Sequence, residues 1–356
     1  MTADRADLFV DDILGSAPAL ARLIDASPAS DRSPLRGFRR PRIAFTGLGS
    51  SRYAALVVAG QLRASGATAW VEYPSTTAGS APANDLVLVA VSASGRTREV
   101  LDAADVHHGR SLVVAVTNDA DSPLAARADI VIPLMAGRET AGIASRTFRA
   151  TVAALAMLTG TPPDRLRPAI AEVAIRIESA HDWLPPMVEL LDGAPAIDVL
   201  ADASLTGLAE QGALMLREAP RLPATASETS DWLHTGVYLA LPGQRTVLYP
   251  GSAADAEVIA TVDRRGGRTS RIEPAHGDTL VRAIVESVVA ELAAAELWRR
   301  ASATDIGEPP RSAPERRADL PDTRDRLEVE RVTEHEHDLG DADPPIAVEE
   351  GGDLPG

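Results

Sequence analysis

Apolar residues along this chain fall into two alternating patterns. Short β-branched runs at 42–46, 70–73, 86–91, 112–117 and 130–133 read as strands, and three of them are apolar almost throughout. Strands covered on both faces have that appearance. Between the runs, 52–65, 96–107 and 123–128 are predicted helices, and 145–159 follows the last strand. Strands alternating with helices imply a parallel sheet with helices on both faces. The stretch 165–191 is expected to form one helix linking two halves. Beyond it, strands are expected at 196–200, 246–249 and 270–273, with helices at 206–217, 253–265 and 278–300. Pro250-Gly251 and Gly266-Gly267 punctuate them as turns. The expected architecture is α/β, with two doubly wound parallel-sheet units in tandem. Its parts are a helical segment 1–40, a first unit 41–163, a linker helix 164–193 and a second unit 194–302.

The periodicity stops after residue 300. From 301 to 356 there are 16 acids against 6 arginines, with prolines and no sustained apolar period. That composition cannot offset its ordering entropy, so 303–356 is expected to be a disordered acidic tail. His335 and His337 lie in it, among acids, and read as part of a solvated charge run rather than a metal site.

Composition narrows the chemistry. The formal charge of −16 argues against nucleic acid and anionic membranes as partners. The absence of cysteine removes disulfides, thiolate metal sites and a cysteine nucleophile. No run is long and apolar enough for a signal peptide or a membrane span, so a cytoplasmic location is expected. All 35 basic residues are arginine. Schiff-base chemistry needs a lysine amine, and this chain has none.

Two turns stand out at predicted strand ends. One is Gly47-Leu48-Gly49-Ser50-Ser51 and the other is Ser92-Ala93-Ser94-Gly95-Arg96-Thr97. Each opens a predicted helix, where free N–H groups and the dipole favour an anion. Serine and threonine are also ordinary helix caps, so one such turn alone favours capping. Two at neighbouring strand ends favour a ligand, because ligands of open α/β sheets bind there. Neither turn is a dinucleotide fingerprint, since Gly47-x-Gly49 lacks the third glycine.

These turns resemble the sugar isomerase (SIS) domain family, as found in the isomerase half of glucosamine-6-phosphate synthase and in related phosphosugar isomerases and deaminases. Gly49-Ser50-Ser51 stands where the family has Gly-Thr-Ser. Ser92–Thr97 stands where it has Ser-Gln-Ser-Gly-Glu-Thr, and Gly142-Ile143-Ala144-Ser145 matches Gly-Val-Ala-Ser. The stretch 11–20 resembles the acidic helix that opens these enzymes. The resemblance covers roughly residues 8–300. It implies two flavodoxin-like SIS units and a sugar 6-phosphate ligand. Ser50, Ser92, Ser94 and Thr97 would hold the phosphate, and Gly49, Ser51 and Gly95 would complete the substrate-binding turns. Ile143 and Ser145 would line the sugar pocket. No metal and no cofactor is implied.

Gln211–Glu218 resembles the family helix Glu-Gly-Ala-Leu-Lys-Leu-Lys-Glu, which places Glu218 as the proton-shuttling base. His234 falls where the ring-opening histidine sits. In the family that histidine comes from a neighbouring subunit, so a homodimer with a shared active site is implied. Gln211 and Met215 replace a glutamate and a lysine on this helix, and the family's C-terminal lysine has no counterpart. The turn Ala201-Asp202-Ala203-Ser204 of the second half lacks glycine and is expected to bind no phosphate. Two functions remain open. One is an aldose–ketose isomerase or deaminase using Glu218 as base, and the other is a regulatory protein that binds a sugar phosphate without turning it over.

Overall fold

The computed structural model describes residues 5–26, 35, 41–77 and 79–302. The tail, with His335 and His337, lies outside the described residues. Helices α1 (Arg5–Leu14) and α2 (Ser16–Ala26) come first. The acidic stretch 11–20, expected as one helix, is divided between them at Gly15.

Strands β1 (Arg42–Thr46), β2 (Ala69–Glu72), β3 (Leu86–Val91), β4 (Leu112–Thr117) and β5 (Ile130–Pro133) form one sheet. It is parallel throughout, in the order β2-β1-β3-β4-β5. Helices α3 (Ser50–Ala64), α4 (Arg98–His107) and α5 (Arg146–Leu158) cover it. Every residue of β3 is buried. Val87, Val89 and Val91 face the main core with α3 and α5, whereas Ala90 joins Val100 and Ala104 of α4 on the opposite face. The period of two along one strand therefore feeds two helical layers. The expected helix at 123–128 is only a 3-10 turn, Ala125–Arg127. Pro123 supplies no N–H, and six residues cannot propagate a helix after nucleation.

The linker is not one helix. It divides into α6 (Pro163–Leu166), α7 (Pro168–Glu178) and α8 (Ala180–Leu191). Pro168 occupies the first turn of α7, where its missing N–H costs nothing. A continuous helix through that point would lose a hydrogen bond and clash with the preceding turn.

The second sheet holds β6 (Ile197–Ala201), β7 (Ala224–Glu228), β8 (Arg245–Tyr249) and β9 (Arg268–Arg271). It is also parallel, in the order β7-β6-β8-β9. Helices α9 (Thr206–Glu218), α10 (Thr229–Trp232), α11 (Asp255–Arg264) and α12 (Thr279–Ser302) accompany it. Val199 and Val247 pack into the same core cluster as β1 and β3, while Leu200 and Leu248 face Trp232 and Val258.

Helix α12 has 24 residues and is apolar nearly all round, the signature of a helix at the centre of a large core. Its Glu291 is fully buried against Arg149 of α5, with Nη2 to carboxylate at 2.6 Å. Arg149 also donates to Ser16 Oγ and to the Ile284 carbonyl. Burial pushes the Glu291 carboxyl up to about 7, against the pull of Arg149.

Candidate functional site

In the order β2-β1-β3-β4-β5, the chain leaves β1 and β3 in opposite directions across the sheet. The crevice between their carboxyl ends is where ligands bind in such sheets. Both serine turns lie there, because β1 pairs directly with β3. Gly49 precedes α3 with φ 52°, and Thr97 precedes α4. Neither helix start has a side-chain cap. The leading N–H groups of both helices thus lack the acceptor that a capping serine would supply.

The second turn is pre-shaped from within. The buried Ser92 hydroxyl accepts from the Gly95 N–H at 3.1 Å and pairs with Thr97 Oγ1 at 3.0 Å. Ser94 Oγ, exposed, accepts from the Arg96 N–H at 3.2 Å. Gly95 has φ 62°, and a Cβ there would stand 2.1 Å from Ser122 Oγ. Only glycine fits both that conformation and that space. Arg96 ion-pairs with Asp119 at 2.9 Å beyond the end of β4.

The loop before α5 closes one side of the crevice. Asp12 of α1 accepts from the Ala141 N–H at 2.9 Å and from Thr140 Oγ1, and pairs with Arg146 at 2.9 Å. Glu139 accepts from the N–H groups of Ser145 at 2.6 Å and Thr147 at 3.0 Å, which makes it the cap of α5. Desolvation pushes the Glu139 carboxyl up, while those N–H groups hold it down. Ile143 and Ser145 are both buried in this loop, and Ser145 Oγ also bonds Glu139, at 3.3 Å.

Helix α9 covers its own sheet at β6 and β7 and turns its other side to α3 of the first. Gly207 lets it pass against α3, since a Cβ there would be 2.2 Å from the Tyr53 carbonyl. Gln211, Met215 and Glu218 recur at helical spacing along one face. Gln211 Nε2 donates to the Ala144 carbonyl at 2.9 Å, which ties α9 to the loop that carries Ile143 and Ser145. Glu218 ends the helix. The residue is exposed, next to the buried Ala219 and Pro220. Desolvation pushes its carboxyl up to about 7; Arg217 opposes that shift and Glu139 adds to it. That influence of Glu139 places Glu218 within electrostatic reach of the loop before α5.

His234 is elsewhere. It follows α10, is exposed, and its N–H donates to the Asp231 carbonyl at 2.9 Å. The imidazole makes no hydrogen bond or ion pair with a described residue. Its segment is anchored by Trp232, whose Nε1 donates to the buried Asp198 at 2.8 Å. Asp198 also accepts from Thr225 and Gln244. Sequence reasoning misses Glu139, and marks Gln211 only as a departure. A carboxylate capping a helix six residues downstream leaves no local pattern.

The family model for the SIS domain matches residues 38–159, the stretch holding both serine turns. That stretch belongs to the SIS domain family. The isomerizing glutamine–fructose-6-phosphate aminotransferase of Pyrobaculum aerophilum is 26% identical over 210 residues, 54% of this chain and 35% of that protein. The chain therefore spans 28–35% of the length of the curated relatives it matches. Among solved structures, the C-terminal domain of glucosamine-fructose-6-phosphate aminotransferase from Francisella tularensis aligns with a TM-score of 0.73 at 16% identity. It covers 86% of this chain and 100% of that one. Glucosamine-6-phosphate deaminase from Thermotoga maritima aligns at 0.70 and 18% identity, covering 85% and 97%. These alignments establish the shared fold across both sheets. No described helix is long and apolar enough to cross a membrane.

Proposed function

We propose that this chain binds a sugar 6-phosphate on the two serine turns and isomerises or deaminates it with Glu218 as the base. Its second sheet is then a second SIS unit in tandem with the first. The observation that carries the reading is the pair of uncapped helix starts at the switch point, with a carboxyl pushed up to about 7 on the adjoining helix. A base with its pKa near the working pH shuttles a proton efficiently. Glu218 takes the proton from C2 of the open-chain sugar and returns it at C1 through an enediol. No lysine is needed, in keeping with a chain that has none.

His234 serves ring opening from a second copy of the chain. Its exposure, and that of Tyr238, Leu239 and Leu241 beside it, supports such a shared interface. The sedimentation coefficient of the protein tests this: a strict monomer would remove His234 from the mechanism.

One observation favours the regulatory reading. Gln211 and Met215, buried on the same face as Glu218, present no titratable group where the family pattern has a glutamate and a lysine. Proton exchange at C2, followed by NMR in deuterated buffer with a panel of hexose and hexosamine 6-phosphates, separates the two. Exchange that vanishes in Glu218→Gln supports the enzyme. Binding without exchange in the wild type assigns a sensor.

A further inference from the structure

Arg52 stands in the first turn of α3, directly after Ser50 and Ser51, in a turn with no acidic residue. A cation there opposes the helix dipole. The other arginines around the crevice are paired: Arg96 with Asp119, Arg98 with Asp102, Arg127 with Asp105 and Arg146 with Asp12. Arg52 is not. Its Nε is buried without a partner, and no described residue forms a hydrogen bond or ion pair with its guanidinium. The group instead lies over the ring of Tyr73, 4.3 Å from the centroid, just past the end of β2.

Stacking fixes the plane of a guanidinium and leaves its edge donors free, the arrangement that recognises a planar or tetrahedral anion. A half-buried arginine, unpaired, at the unfavourable end of the helix that Ser50 opens and held on the β2 side of β1, is poised for a charge brought from outside the chain. The phosphate does not need it. The few terminal oxygens of a phosphate monoester are matched by the hydroxyls and helix-start N–H groups of the two serine turns.

We propose that Arg52, held on Tyr73, binds a second acidic group of the ligand, so that the site takes a sugar phosphate that also carries a carboxylate or a second phosphate. This rests on the phosphosugar reading of the serine turns and narrows its substrate class. Bringing an anion to Arg52 also neutralises its conflict with the α3 dipole.

The test is calorimetric titration of the full chain with glucose 6-phosphate, 6-phosphogluconate and fructose 1,6-bisphosphate, for the wild type, Arg52→Gln and Ser92→Ala. One of the doubly acidic compounds binds about 10-fold or more tightly than glucose 6-phosphate, as expected for a charge-assisted contact. Whichever it is identifies the second group. Arg52→Gln abolishes that preference and leaves glucose 6-phosphate within about twofold, whereas Ser92→Ala weakens all three. Equal affinities unaffected by Arg52→Gln overturn the second subsite and leave the phosphosugar reading standing. Equal losses for every compound in Arg52→Gln make Arg52 a ligand of the shared phosphate and overturn it too. Absence of binding by every compound overturns both. Without ligand, Arg52→Gln changes the melting temperature little, because the lost stack on Tyr73 and the cation removed from the helix start act in opposite directions. A large fall in melting temperature indicates a structural role and counts against the proposal.

Discussion

At the carboxyl ends of the first sheet, α3 and α4 begin without side-chain caps. Helices α9 and α11 of the second sheet lack side-chain caps too, but the turns that lead into them already hold a carboxylate of the chain. Asp202, after β6, accepts from the Ser204 N–H at 2.7 Å and from its hydroxyl at 2.6 Å. After β8, Asp255 accepts from the Gly251 N–H at 2.7 Å. Both sheets are parallel and share one core through α12, so their scaffolds offer similar turns. What differs is whether an acid is built in or left to a ligand. A carboxylate in the turn supplies the acceptor that a phosphate would supply, and repels the phosphate as well.

Arg149 of α5 and Glu291 of α12 join the two halves in one core, and their pair tests whether the two sheets unfold together. Arg149→Met strands Glu291 in the core and lowers stability by about 3–5 kcal/mol. Urea unfolding followed by both circular dichroism and tryptophan fluorescence then shows one shared transition. Two separated transitions would mean that the sheets are independent and the comparison is between strangers.

Gly95→Ala strikes the first sheet alone. A Cβ meets Ser122 at a positive φ, which costs about 2 kcal/mol and distorts the turn. Phosphosugar binding, read by thermal shift, is lost while the variant remains folded. Asp202→Ala strikes the second sheet and removes a cap worth about 1 kcal/mol. It leaves phosphosugar affinity unchanged. Loss of affinity in Asp202→Ala would place the ligand on the wrong sheet.

Much of this difference is legible in the amino-acid sequence. Gly49, Ser50 and Ser51 at one strand end, with Asp202 at the corresponding end of the other half, distinguish an open turn from a filled one. The first sheet is also legible, since β3 and β4 are buried on both faces and need continuous apolar runs. Strand β7 escapes such a reading for the converse reason. Ala-Thr-Ala-Ser-Glu is a half-exposed edge strand and needs no apolar run. The breaks in the linker at Pro168 and after Glu178 are hidden within an apolar period that continues across them. In the site, Glu218 and Ser92 can be marked by pattern. Glu139 capping Ser145, Gln211 holding Ala144 and Arg52 on Tyr73 depend on side chains meeting across the fold.

The smallest effect is a matter of pH. As the proposed base, Glu218 would act only when deprotonated, and desolvation raises its carboxyl to about 7. Proton exchange at C2 accordingly rises with pH through about 7 and levels off above. A profile already flat by about pH 5 would mean a carboxyl in its ordinary range and a different base.

The most direct measurement is a thermal-shift titration of the wild type, Ser92→Ala and Asp202→Ala with a panel of hexose 6-phosphates and hexosamine 6-phosphates. The account predicts a ligand-dependent rise in melting temperature for the wild type and Asp202→Ala, and little or none for Ser92→Ala. A rise that survives Ser92→Ala, or one absent from the wild type with every sugar, would contradict a phosphate site on the serine turns.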